Sequence, residues 1–186
     1  MTMKEAFDVF FEKMSDSWQQ VWRTGPKVPF TEQTKNCGLY VSEPDKDGYA
    51  EWQPKLQTEP VDFETIEKEL GFKINLQIKE FLSTYWFMPL EGKTNTVNHL
   101  VLNELLPQCD LMQEVKHLFS KKEFHYLNKG EYFLIGGFCS INGNDSYMVH
   151  VNNDTGEVTA VQCFDKISIK IADSIKDLLV KMKGIW

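Results

Sequence analysis

Hydrophobic positions recur with a helical period at the start of the chain. Phe7, Phe10, Phe11, Met14, Trp18, Val21 and Trp22 follow one another at spacings of three and four, the stripe of an amphipathic helix. The stripe stops at "TGPKVPF". There Pro26 and Pro29 withdraw backbone donors and restrict the residues before them, so the helix is expected to end. The period then shortens to two. Leu39 to Val41 and Tyr49 to Gln53 read as strands on either side of "PDKDG", whose Asp47-Gly48 pair suits the positive φ of a tight turn. A β-hairpin is expected.

The helical period returns in "FETIEKELGFKINLQIKEFLSTYW", from Phe63 to Trp86. Phe63, Ile66 and Leu70 share one face. Gly71 stands where a left-handed C-cap belongs, and Asn75 is placed to cap a second helix whose stripe is Ile78, Phe81, Leu82 and Tyr85. The break between the two is thus capping chemistry and contains nothing reactive. From Pro89 to Glu131 the pattern is less regular. "HLVLNELL" fits a strand or the start of a helix, and Leu111, Met112, Val115, Leu118 and Phe119 in "LMQEVKHLFSKKEF" have helical spacing. "EYFLIGGFCSI" and "SYMVHV" then flank Asn142-Gly143, and "EVTAVQCF" follows "NNDTG", which predicts a meander of three antiparallel strands. Ile171, Ile175, Leu178, Leu179 and Met182 predict a closing helix. Helices and antiparallel strands in separate runs predict an α+β fold. Its mainly antiparallel sheet, with a C-terminal three-strand meander, packs against helices. With 186 residues, 42% of them hydrophobic, the chain is long enough for one domain, 1–186, with a sizeable core.

Composition narrows the class. The longest apolar run, "YFLIGGF", falls far short of the roughly 20 residues a membrane span requires. Lys4, Glu5, Asp8 and Glu12 interrupt the N-terminal segment, so no secretion signal is expected. Cys37, Cys109, Cys139 and Cys163 form no C-x-x-C pair, as expected of a reduced cytoplasmic protein. The formal net charge of −7 argues against a nucleic acid as principal partner, because such binding draws on a positive field. The acid is unevenly placed: Glu43 to Glu69 holds nine carboxylates against three lysines, whereas eight bases balance eight acids from Lys121 to Trp186. That run is either a solvated face or a surface that steers a basic partner.

Three stretches imitate reactive motifs. Gly92-Lys93-Thr94 has the ending of a phosphate-binding loop, but Phe87 stands where its first glycine belongs, so no cradle of backbone N–H groups is expected. Asp154-Thr155-Gly156 has the triplet of aspartic proteases. Its neighbours Asn152, Asn153 and Glu157 suit a solvated turn better than the sheltered cleft in which two carboxylates share a proton. His99, His117, His125 and His150 show no metal-ligand spacing and no pairing with a nucleophile; His150, in an alternating stretch, reads as a core or interface residue. A non-catalytic protein without metal or cofactor is expected.

The segment from Phe63 to Trp86 resembles the signature of the SUKH superfamily, two helices of which the second has the form "xxEFLxxY" around a glycine-containing break. More particularly, "SDSWQQVW", "EWQP", "DTGEV" and "IADSIKDLL" resemble, in that order, segments of the Syd family within it. Trp18 corresponds to the tryptophan of the family's first helix, Trp52-Gln53-Pro54 to its "WQP", and Gly156-Glu157-Val158 to its "GEV". The resemblance implies a SUKH-like fold and a cytoplasmic, non-catalytic protein that associates with the SecY translocation channel at the inner membrane face. It further implies an acidic surface presented to basic cytoplasmic loops, which the positive-inside rule supplies. On that reading the expected partner-binding residues are Glu43, Glu51, Glu59, Asp62, Glu64 and Glu67, with Trp18 and Trp52 either as aromatic anchors or as core residues. The superfamily implies an alternative: an immunity protein that neutralises a bacterial toxin, many of them nucleases with a basic surface.

Overall fold

The computed structural model describes residues 1–120, 130–162 and 167–185. Helix α1, Met3–Trp22, begins with a reciprocal cap: Glu5 N–H donates to Thr2 Oγ1 at 3.2 Å and Thr2 N–H to Glu5 Oε2 at 2.7 Å. It ends at Arg23, which is left-handed at φ 57°. Phe7, Phe10 and Met14 are buried, but the stripe is not covered to its end, since Val21 and Trp22 are exposed.

The proline-containing stretch after α1 is not only a terminator. It contains a strand, β1 (Lys27–Pro29), paired antiparallel with β2 (Tyr49–Glu51), Lys27 opposite Glu51. Prolines are tolerated in so short an edge strand because few ladder donors are needed. The expected pairing of the 39–41 and 49–53 stretches is also present: Val41 N–H donates to Glu51 O at 2.9 Å, and Gln53 N–H to Leu39 O at 3.0 Å. β2 is therefore flanked on both sides. A further short pair joins β3 (Lys55–Leu56) to β4 (Tyr85–Trp86).

Between them lie α2 (Phe63–Leu70) and α3 (Leu76–Thr84). Asp62 caps α2, accepting from Thr65 N–H at 3.1 Å, and Gly71 closes it at φ 82°, a conformation that costs a residue without a side chain little. Asn75 caps α3, accepting from Gln77 N–H at 3.0 Å. Both sequence-derived caps between these helices are in place. Ile66, Leu70, Ile78, Phe81 and Leu82 are buried beneath them.

The main sheet has six strands in chain order, every described pairing antiparallel: β5 (Leu90–Gly92), β6 (His99–Leu102), β7 (Tyr132–Ile141), β8 (Asn144–Asn152), β9 (Val158–Gln162) and β10 (Ser168–Ala172). The three-strand meander is real, and it continues outward on both sides. The first half of "HLVLNELL" is β6, and Leu105 beyond it makes an isolated antiparallel bridge with Phe87. The tight turn at Asn142-Gly143, with φ 51° and 77°, joins β7 to β8. Helix α4, Leu111–Ser120, packs on β7, and the closing helix α5 is Ile175–Lys181. Ile171, expected on that helix, belongs to β10. The remainder of "LMQEVKHLFSKKEF", His125, and Cys163 and Phe164 of "EVTAVQCF" lie outside the described residues.

α1, α3 and α5 pack on one another, and an aromatic cluster marks the join. The ring of Phe7 lies 5.4–5.6 Å from those of Phe11, Phe81, Tyr85 and Phe87. The Tyr85 hydroxyl drawn into it is satisfied, since Oη donates to Asp8 Oδ1 at 2.6 Å.

Candidate partner-binding groove

Where α1 leaves its stripe uncovered, the fold leaves a groove of about 760 Å³. Trp18 and Trp22, one helical turn apart, form one wall. Val28 and Pro29 of β1 and Tyr49 of β2 form another, Pro89 and Glu91 a third, and Gly184 and Ile185 close the end. The terminal segment is held there by paired backbone hydrogen bonds between Lys93 and Lys183, each 2.9 Å. Trp52, 1% exposed, is the floor, its backbone N–H donating to Pro26 O at 3.0 Å. Trp22, in contrast, is 54% exposed.

The rim is acidic. Asp45 organises the loop between the strand-like residues 39–41 and β2: its Oδ1 accepts from Asp47 N–H at 3.0 Å and Tyr49 N–H at 3.1 Å, while Gly48 N–H donates to Asp45 O at 2.9 Å. Its Oδ2 accepts from Lys27 Nζ at 2.8 Å. Lys27 and the backbone N–H groups of Tyr49 and Asp47 hold the Asp45 carboxyl down at about 2. Asp47 and Glu91 add two further carboxylates to the lining. An aromatic floor with carboxylates at the mouth suits a polypeptide segment that carries both apolar and basic side chains, for guanidinium and ammonium groups favour carboxylates and aromatic faces alike.

Of the eight residues expected from the sequence, the groove takes two, Trp18 and Trp52. Trp52 does so as a core residue exposing little. Glu51 lies beside Trp52 in a second depression of about 380 Å³ with Phe11, Gln53 and Pro54, where its Oε2 accepts from Gly25 N–H at 3.3 Å. Glu59 borders a shallow hollow with Val61, Phe63 and Leu76. Glu43 and Glu64 are exposed on a loop and on the first turn of α2. Asp62 is engaged as a helix cap. Glu67 is buried, 5% exposed, and points inward: its Oε2 accepts from Lys73 Nζ at 2.7 Å, its Oε1 from Ile74 N–H at 2.9 Å, and Lys79 closes on the same carboxylate. The structure thus distributes the acidic set over several surfaces. It adds Trp22, Asp45, Tyr49, Asp47 and Glu91, which sequence reasoning missed. The available signal was the last turn of α1, an apolar stripe continuing past the point where any later helix was needed to cover it.

The motif-like stretches have structural roles. Gly92 ends β5 against Met182. Asp154-Thr155-Gly156 is the turn between β8 and β9, organised by Asn152 Oδ1, which accepts from Asp154 N–H at 3.0 Å and Thr155 N–H at 2.8 Å. Asn153 reaches from that turn to the helix break, taking Asn75 N–H at 2.8 Å and giving its amide to Lys73 O at 2.8 Å. His150 is buried on β8, and burial pushes the Cys139 thiol up to about 12. Among the described residues no group of three or more His, Cys, Asp or Glu is arranged to hold a metal, and no helix is long and apolar enough to cross a membrane.

Comparison with known proteins agrees with the resemblance in the residues. Residues 4–184 match the family model described as Syd protein (SUKH-2). Protein Syd of Shewanella frigidimarina is 27% identical over 183 residues, covering 96% of this chain and 81% of its own length. Protein Syd of Shewanella pealeana is 26% identical with the same coverage, and that of Alteromonas mediterranea 25% identical over 156 residues, 75% of this chain and 76% of its own.

Proposed function

The chain belongs to the Syd (SUKH-2) family, and we propose that it is a non-catalytic binding protein whose groove takes a basic cytoplasmic loop of the SecY translocation channel. The observation that carries this reading is the pairing of aromatic and acidic side chains in one groove: Trp18 and Trp22 in a wall and Trp52 at the floor, with Asp45, Asp47 and Glu91 in the same lining. A loop rich in Lys and Arg finds both its charges and its apolar residues matched there. Trp22 is the main anchor, because among the large apolar side chains lining the groove it has the most surface left to lose on binding, ahead of Tyr49. Glu43, Glu59 and Glu64 act at longer range, drawing a basic segment toward the groove without touching it. The protein works at the cytoplasmic face of the membrane, held there by its partner.

The test is retention of the full chain on SecY-containing membranes at low and high salt, beside membranes lacking the channel. Retention that depends on the channel and falls with salt is expected, since exposed charge pairs are screened within about 8 Å at physiological ionic strength. Trp22→Ala is expected to weaken binding roughly five- to thirtyfold, the range of a moderate interface anchor, with the fold unchanged. Equal retention of that variant would remove the groove from the interface. Capture of a soluble basic toxin from host lysate, with indifference to the channel, would favour the immunity role instead.

A further inference from the structure

Among the described lining residues of the groove, Lys27 is the one base set against Asp45, Asp47 and Glu91. Its position is not incidental. β1 places it opposite Glu51 in the ladder, its side chain is only 22% exposed, and its ammonium donates to Asp45 Oδ2 at 2.8 Å. Asp47 and Glu51 lie near enough to add to the field that holds its proton. The other oxygen of Asp45 is already committed to two backbone N–H groups. The second oxygen of this firmly anchored carboxylate is therefore occupied by the protein's own lysine.

We propose that Lys27 is an internal occupant of the groove, and that an arginine or lysine of the partner segment must displace its ammonium from Asp45 in order to bind. This rests on the reading of the groove as the site for a basic loop. The displaced ammonium keeps favourable surroundings, because Asp47 and Glu51 remain close, so the exchange is nearly balanced for a single cation. A guanidinium that grips a carboxylate through two parallel hydrogen bonds gains more than a lone ammonium does. Lys27 thus raises the threshold for adventitious cations and favours segments that bring several charges together with apolar residues for the floor.

The experiment measures binding of a fluorescein-labelled twelve-residue peptide of alternating Arg and Leu to the full chain, by anisotropy, at low salt. Lys27→Met keeps the apolar stem and removes the charge. It is expected to tighten binding roughly two- to fivefold, the worth of a partly exposed ion pair, and the gain should vanish at high salt. Lys68→Met, on the exposed side of α2, makes the same change in net charge away from the groove and should tighten binding by less than half as much. Lys27→Gln provides a second variant should Met disturb β1. If the Lys27 variants bind no tighter than the parent, or no tighter than Lys68→Met, Lys27 is not an occupant and the inference is overturned while the groove stands. If the parent protein itself fails to bind, or binds equally well after Trp22→Ala, the groove reading falls and takes this one with it.

Discussion

At the scale of single residues, Glu67 shows why charge in a sequence is not charge on a surface. It sits among acids from Glu59 to Glu69 that look alike on paper. Yet Phe63, Ile66, Glu67 and Leu70 follow the i, i+3, i+4, i+7 pattern of one buried helical face, and the structure puts Glu67 there. Burial alone would raise its pKa; hydrogen bonds from Lys73, Lys79 and Ile74 N–H outweigh burial and bring it down to about 2. A carboxyl whose folded pKa is depressed contributes stability that is present above its ordinary value near 4.5 and lost as pH falls toward 2. Glu67→Gln is expected to destabilise by about 2–3 kcal/mol at pH 7, the usual cost of breaking a buried charge-assisted network. Denaturant unfolding should show the gap between parent and variant closing from pH 4.5 to 2. A gap that stays constant over that window would mean that shape, rather than charge, carries the effect.

Elements were legible in the sequence where their signals are local. Gly71 and Asn75 could be assigned as caps because a cap is decided by a residue and its near neighbours. β1 was hidden because its pairing lies some twenty residues away in β2, and because prolines at its margin signal termination before they signal an edge strand. Ile171 fits the apolar spacing of the last helix as well as the alternation of "ISIKIA", and the boundary is marked only by Ser174, which caps the helix by accepting from Asp177 N–H, with no Gly or Pro between them. The groove was least legible of all, since its walls come from α1, β1, β2, β5 and the terminal segment, and only folding brings them together. The turn at Asp154-Thr155-Gly156 shows the same long-range dependence. Gly156, at φ 77°, lies against the amide of Gln77, whose Oε1 in turn accepts from Ile175 N–H at 3.1 Å. Gly156→Ala is thus expected to cost about 1–3 kcal/mol, from left-handed strain together with the displaced amide. Thermal unfolding should detect it; an unchanged midpoint would show that the turn and Gln77 move apart freely.

At the scale of the whole molecule, field and contact can be separated because the acidic residues divide into those that touch the groove and those that do not. Reversing Glu43, Glu59 and Glu64 to Lys adds two charges at each position, so the net charge moves from −7 to −1. Asp62 is left out of that set, since removing a helix cap costs about 1 kcal/mol by itself and would blur the result. Long-range charge acts mainly on encounter, whereas desolvated anchors act on release. The triple variant should therefore associate with a basic loop peptide about tenfold more slowly at low salt, with an unchanged dissociation rate, and the two proteins should converge as salt rises. Trp22→Ala should do the reverse, raising dissociation at every salt concentration. If stopped-flow measurement finds the triple variant dissociating faster as well, Glu43, Glu59 or Glu64 contacts the partner directly, and the interface extends beyond the groove to the surface around α2. If neither rate changes, the net charge is a property of solubility alone, and recognition rests on Asp45, Asp47 and Glu91 at the rim.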